Sequence, residues 1–255
     1  MKFLNVFAAL AAVSTARCTP PKNLRTTTLY GVEVIDTDLV RDARAIIAKF
    51  TPYLYKHCMR AWLYGSAAIN ANETLYNTVD RELHAVATIL HDLGWDMTPN
   101  SPYVSPDLRF EIDSALGAVN FVKQHKDAKY WDEYRLDKLH DGISLQISPG
   151  LDVGKSQDVQ TIVSSILYDN PTAKAAAIPQ TDYDNIRKGL PNFDIVAGTN
   201  ETWTWLAQTK PASTYDNALQ NWGTAYVPGY NATGHRIFDI IVTALEAEKA
   251  ANSTN

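Results

Sequence analysis

From Leu39 to about residue 250, apolar side chains recur at three- and four-residue intervals, in segments cut repeatedly by proline or glycine. That period commits the chain to helices packed on helices, so the expected class is all-α, a compact globular bundle. The spacing predicts a first helix from Leu39 to Phe50, with Asp38 as its N-cap and Pro52 as its stop. Further helices are expected over Tyr53–Ile69, Val79–His91, Leu108–His125, 132–147 and Gln157–Asp169, the last stopping at Asn170-Pro171. Shorter ones are expected over 181–190, 199–208, 214–221 and 235–250. Residues 19–35, a Thr-Pro-Pro step and then a Thr-rich aliphatic run, read as an extended lead-in.

A chain of 255 residues can bury a sizeable core within one domain. Its formal net charge of −5, with Lys and Arg scattered, gives no basic face for nucleic acid. Lys2, the apolar stretch Phe3 to Val13 and the small residues Ser14-Thr15-Ala16 read as a signal peptide over residues 1–17, cleaved near Ala16–Cys18. No segment reaches the roughly 18 consecutive apolar residues of a membrane span, so a secreted protein without a stable membrane anchor is expected. The sequons at Asn72, Asn200, Asn231 and Asn252 are glycosylation candidates on that route. The only cysteines are Cys18 and Cys58, too few for a disulfide scaffold and without the Cys-x-x-Cys spacing of a thiolate zinc site. Whether the two pair with each other is open.

The chemistry-bearing residues are imidazoles and carboxylates on inward helix faces. His57 lies in Tyr-Lys-His-Cys-Met-Arg-Ala-Trp-Leu-Tyr-Gly; His91 and Asp92 end the third expected helix in Ile-Leu-His-Asp-Leu-Gly. Asp169 closes the sixth, and stepping back three and seven residues reaches Ile166 and Ile162, so its carboxylate projects from an apolar stripe. A lone ionised carboxylate there needs a cation, a proton or several donors, unless it merely caps the helix end. Two nitrogens and two oxygens suit zinc, iron or manganese with room for water. A second His-Asp pair, His140-Asp141, lies inside a helix, whereas His91-Asp92 precedes Leu93-Gly94 at an abrupt helix end; the first pair is the favoured one.

The pattern Tyr55-x-His57-x-x-Arg60-Ala61-x-Leu63-Tyr64-Gly65, then Asp80-x-Glu82, then Leu90-His91-Asp92-Leu93-Gly94 resembles the HD superfamily of metal-dependent hydrolases. The likeness is greatest to the fungal branch that includes cyanamide hydratase. It continues through Arg109-Phe110-Glu111-Ile112-Asp113, Tyr168-Asp169, Lys210-Pro211-x-x-Thr214-Tyr215-Asp216-Asn217 and Tyr226-Val227-Pro228-Gly229-Tyr230, and so spans about residues 35–245. The resemblance implies an HD domain with a C-terminal extension over 36–255. It also implies a divalent metal, zinc first and iron or manganese next, held by His57, His91, Asp92 and Asp169. One departure stands out: where such proteins usually carry Trp-Asp-Ala-Ile-x-Leu-His, this chain has His140-Asp141-Gly142-Ile143-Ser144-Leu145-Gln146. Gln146 is a poor substitute for a ligating imidazole, although its amide can orient water or substrate.

The expected reaction is attack of metal-activated water, with His91 and Asp92 as catalytic residues, on a small molecule bearing a nitrile- or cyanamide-like carbon. Bound metal lowers the pKa of water from 15.7 to about 7. Gln146, Glu111 and His84 are candidates for contacts to substrate or to the ligands, and Trp62, Tyr64 and Trp95 are aromatics able to wall a pocket or fill the core. Alternatives on the same fold are a phosphohydrolase, a natural-product tailoring enzyme, a metal-dependent oxygenase, or a secreted protein that kept the fold and lost the reaction. A phosphate ester needs Lys, Arg or clustered N–H groups, and Leu93-Gly94-Trp95-Asp96 after the His-Asp pair brings no base.

Overall fold

The computed structural model describes residues 24–169 and 174–253. The expected signal segment 1–17 and Cys18, with any pairing to Cys58, lie outside them. Among the described residues there are eleven α-helices and one two-stranded sheet, an all-α bundle. No helix there is long and apolar enough to cross a membrane.

The chain enters through an antiparallel hairpin, β1 (Thr26–Leu29) and β2 (Val32–Ile35), turning at Tyr30 and Gly31, both with positive φ. The lead-in expected to be extended is thus folded back on itself as a hairpin. A type I′-like pair at the turn and the β-branched Val32, Val34 and Ile35, all buried, are what make it a hairpin. Helices α1 (Asp38–Ile47), α2 (Pro52–Asn70), α3 (Glu73–Thr78) and α4 (Arg81–Leu90) follow. Next come α5 (Phe110–Gln124), α6 (Glu133–Ser144), α7 (Gln157–Leu167) and α8 (Gln180–Gly189). The C-terminal part holds α9 (Ile195–Thr209), α10 (Gln220–Tyr226) and α11 (Ile237–Ser253).

Two boundaries differ from expectation for local reasons. Thr37, not Asp38, caps α1: its hydroxyl accepts from the Val40 N–H at 3.4 Å, and Asp38 sits in the first turn. The helix expected over 214–221 is instead a 3-10 turn (Pro211–Thr214) and the later α10, because Asp216 takes a φ of 56° that no helix can carry through.

Helix α4 is the axis of the molecule. Every residue from Glu82 to Leu90 is buried, and α1, α2, α5, α6 and α7 all pack on it. A helix packed on all sides must satisfy its polar groups internally, as Glu82, His84 and Thr88 do here. Its N-terminus is anchored by Asp80, whose carboxylate accepts from the Leu83 N–H at 3.0 Å and also pairs with Arg135 at 2.8 Å. Arg135 reaches Glu82 as well, at 3.2 Å, so Asp80-x-Glu82 is a buried ionic clamp between α4 and α6. The sequon asparagines Asn72, Asn200, Asn231 and Asn252 are exposed. Asn72 also caps α3.

Candidate metal centre

The site forms where α4 ends. His91 is the C-cap of α4, and Asp92 opens the 3-10 turn Leu93–Trp95. The turn can lie there because residue 94 is glycine: a Cβ at Gly94 would come within 2.5 Å of the Phe110 carbonyl oxygen, while the Gly94 N–H donates to Ser114 at 2.9 Å. His57 arrives from the first half of α2, which packs against α4. The side chains of His91 and Asp92 are 0 % and 1 % exposed and that of His57 12 %, so water reaches the cluster from one side only.

Three ligand-type atoms converge. The Nε2 atoms of His57 and His91 lie 3.1 Å apart, and Asp92 Oδ2 lies 3.4 Å from the first and 3.1 Å from the second. The far side of each ring fixes its tautomer. His91 Nδ1 donates to the Thr88 carbonyl at 2.8 Å, and a carbonyl can only accept. His57 Nδ1 donates to Asp169 Oδ2 at 2.7 Å. In the neutral rings both Nε2 lone pairs therefore point at each other and at a carboxylate, neither of whose oxygens has a hydrogen-bond partner. Such an arrangement is unfavourable without a cation at its centre.

The electrostatics show the same demand. Burial disfavours an imidazolium at His57, yet the hydrogen bond to Asp169 and the nearby Asp92 carboxylate outweigh it and raise the pKa to about 9. Burial opposes the charge on His91 too, and the Asp92 charge overcomes it, raising the pKa to about 10. Burial would push Asp92 up, but the charge of His91 and the neighbouring His57 hold it at about 2. A proton or a metal ion answers the same need. The donor set fits the metal: separations of 3.1–3.4 Å match the roughly 3.3 Å ligand–ligand edge of a tetrahedral site with bonds of about 2.0–2.1 Å.

Asp169, expected as a fourth ligand, takes another place. Its carboxylate is gripped by the fully buried Arg60, Nε to Oδ1 at 2.7 Å and Nη2 to Oδ2 at 2.8 Å, and it meets His57 at Nδ1, on the side of the ring away from the cluster. The guanidinium fork occupies both oxygens, so Asp169 orients His57 from behind. Burial opposes its charge, but His57 and Arg60 hold its pKa below the usual carboxylate value. Arg60 is the residue that ties Asp169 in place. Its remaining Nη1 donates to the carbonyls of Leu190 and Pro191 at 3.3 and 3.1 Å.

Of the other candidates, Gln146 is 2 % exposed, borders the cleft and donates from Nε2 to the His91 carbonyl at 2.8 Å. Glu111 is buried away from the cleft and pairs with Arg109 at 2.6 Å. His84 lies two turns back along α4, hydrogen-bonded to Ser165 at 3.0 Å and not among the cleft residues. Glu111 and His84 thus serve the packing and touch neither ligands nor cleft. His140 and Asp141 are more than one-third and about one-third exposed, Asp141 pairing with Lys155. Trp62 and Tyr64 fill the core; Trp95 lies parallel to the His57 ring, centroids 6.1 Å apart, and walls the cleft.

That cleft has a volume of about 950 Å³ and opens over His57, Asp92, Gln146 and Asp169, with α9 and α10 forming its outer wall. No family model matches this chain, and no curated protein matches it.

Proposed function

We propose that the chain is a secreted, metal-dependent hydratase or hydrolase of the HD type, with His57, His91 and Asp92 holding one divalent ion. The observation that carries this reading is the set of two inward lone pairs and an unpartnered carboxylate within 3.4 Å of one another. The residue pattern quoted above supports the HD assignment, and two imidazoles with one carboxylate favour zinc, with iron or manganese next. Such an ion, when bound, acidifies a water molecule and polarises an electrophilic centre. His57 and His91 keep their Nε2 lone pairs available because Asp169 and Thr88 hold the opposite ring protons. Asp92 neutralises part of the charge and takes a proton from the incoming nucleophile. The apolar walls keep bulk water from the reacting carbon.

A nitrile-like carbon is the favoured target, on the strength of the resemblance. The phosphohydrolase alternative is weakened by the cleft, which has no Lys or Arg among the described residues that form it. Elemental analysis of the purified protein tests the reading. About one zinc, iron or manganese per chain is expected, falling by at least tenfold in His91→Ala. Turnover of cyanamide or simple nitriles without turnover of p-nitrophenyl phosphate is expected alongside it. A wild type that takes up no metal, or a His91→Ala protein that retains it fully, overturns the assignment.

A further inference from the structure

The cleft is far larger than a cyanamide-sized molecule requires. Its volume of about 950 Å³ lies at the upper end of the roughly 300–1,000 Å³ range of pockets that enclose drug-sized ligands. Its aromatic groups form a continuous series leading outward from the cluster. The His57 ring lies parallel to Trp95; Trp203 meets Trp95 edge-on with centroids 6.0 Å apart, and Trp222 meets Trp203 edge-on at 4.5 Å. Trp203 lies on α9 and Trp222 on α10, two helices joined by the hydrogen bond from Trp222 Nε1 to Asn200 Oδ1 at 3.0 Å. At the rim Phe193 and Val196 are 92 % and 62 % exposed.

Charge narrows the ligand further. Among the described residues, the only ionisable carboxylates in the lining are Asp92, which belongs to the cluster, and Asp169, which is taken up by Arg60 and His57. Among the same residues, no basic side chain lines the cleft apart from the imidazole of His57. Away from the cluster and any ion it holds, a charged ligand would thus lose its hydration without gaining an ionic partner, whereas an apolar ring loses little and gains edge and face contacts with indoles.

We infer that the substrate is a neutral, largely apolar molecule carrying an aromatic ring, its body along Trp95, Trp203 and Trp222 and its reacting group at His57 and Asp92. This inference rests on the metal-site reading for where the reaction occurs, but not for what the cleft binds. The test is a ligand-observed NMR titration of the full chain, metal-loaded and chelator-stripped, with 2-naphthonitrile, 2-naphthyl phosphate and acetonitrile. At least tenfold tighter binding of 2-naphthonitrile than of either other probe is expected in the chelator-stripped form. Trp222→Ala should weaken it at least tenfold; so should Val196→Asp, which places a charge on an exposed rim position and leaves the core alone. Equal or tighter binding of 2-naphthyl phosphate by the chelator-stripped protein, or 2-naphthonitrile affinity unchanged in every folded variant, overturns the inference. Naphthonitrile binding by a protein that never takes up metal supports the substrate class and defeats the metal assignment. Stoichiometric metal without preference for the naphthyl nitrile does the reverse.

Discussion

Two histidines lie seven residues apart on α4, both essentially without solvent contact, and their surroundings drive them in opposite directions. His84 meets one hydroxyl, that of Ser165, and burial lowers its pKa to about 3 despite the opposing charge of Asp158. His91 meets Asp92 and the Nε2 edge of another imidazole, and its pKa rises to about 10 against the same burial penalty. Where Gly65 brings α2 close, a Cβ would fall 2.3 Å from both His84 Nε2 and the Ser165 hydroxyl, so the space around His84 is closed. One ring is a neutral strut; the other is part of a site that calls for a cation. The difference lies in whether a carboxylate shares the pocket, which neither residue type nor helical spacing reveals.

The sharpest way to break this comparison is to remove the cation that keeps the Asp169 carboxylate tolerable behind His57, the imidazole that His91 faces. Arg60→Leu leaves Asp169 buried with His57 as its remaining ionic partner and strips donors from the Leu190 and Pro191 carbonyls. Removing one member of a buried pair costs about 3–5 kcal/mol. Urea denaturation of the metal-free protein should show a loss of that order. A change under about 1 kcal/mol would mean that the Arg60–Asp169 pair does not secure this end of α2.

The helical class was legible because its signals are local: Pro52 starts α2, Asp80 caps α4, and the apolar stripes survive in the burial of both. Helix α3 was missed because six residues are too few for a period to register, although Asn72 before Glu73 is an N-cap signal. The hairpin was missed although Tyr30-Gly31 between two β-branched runs marks a turn. His57, His91 and Asp92 were singled out as inward-facing residues and joined into one ligand set by the resemblance, since periodicity places a residue on a face but cannot say which faces meet. Asp169 was placed on an apolar stripe, where it needs a cation, a proton or several donors unless it only caps the helix. That the cation is Arg60, 109 positions away, is tertiary information that no spacing along the chain contains.

The next test concerns His84 itself. In the unfolded chain it binds a proton below a pKa of about 6.5, whereas in the native protein it stays neutral until about pH 3. The unfolded state therefore holds more protons between those values, and the stability due to a neutral His84 is complete above about pH 6.5 and lost as pH falls towards 3. A non-titrating His84→Gln variant should lose less stability than the wild type between pH 7 and pH 4, by on the order of 3 kcal/mol. Comparing the variants across the same interval cancels the carboxylates common to both. Identical pH slopes would mean that His84 is protonated in the native state, and its contrast with His91 would vanish.

The smallest expected effect decides whether Gln146 belongs with the strut or with the cation site. Its amide donates to the His91 backbone, not to any ligand atom, although its side chain borders the same cleft as Asp92. Gln146→Leu removes one buried hydrogen bond and strands a carbonyl, a cost of about 1–2 kcal/mol. Metal stoichiometry should be unchanged, because the Thr88 and Asp169 acceptors that fix the two rings are untouched. The pair of measurements separates two roles that look alike in sequence: a residue that steadies the backbone loses stability and keeps its metal, whereas one that ligates does the opposite. Full stability with metal lost would place the Gln146 amide in the coordination sphere and require a rearranged cluster.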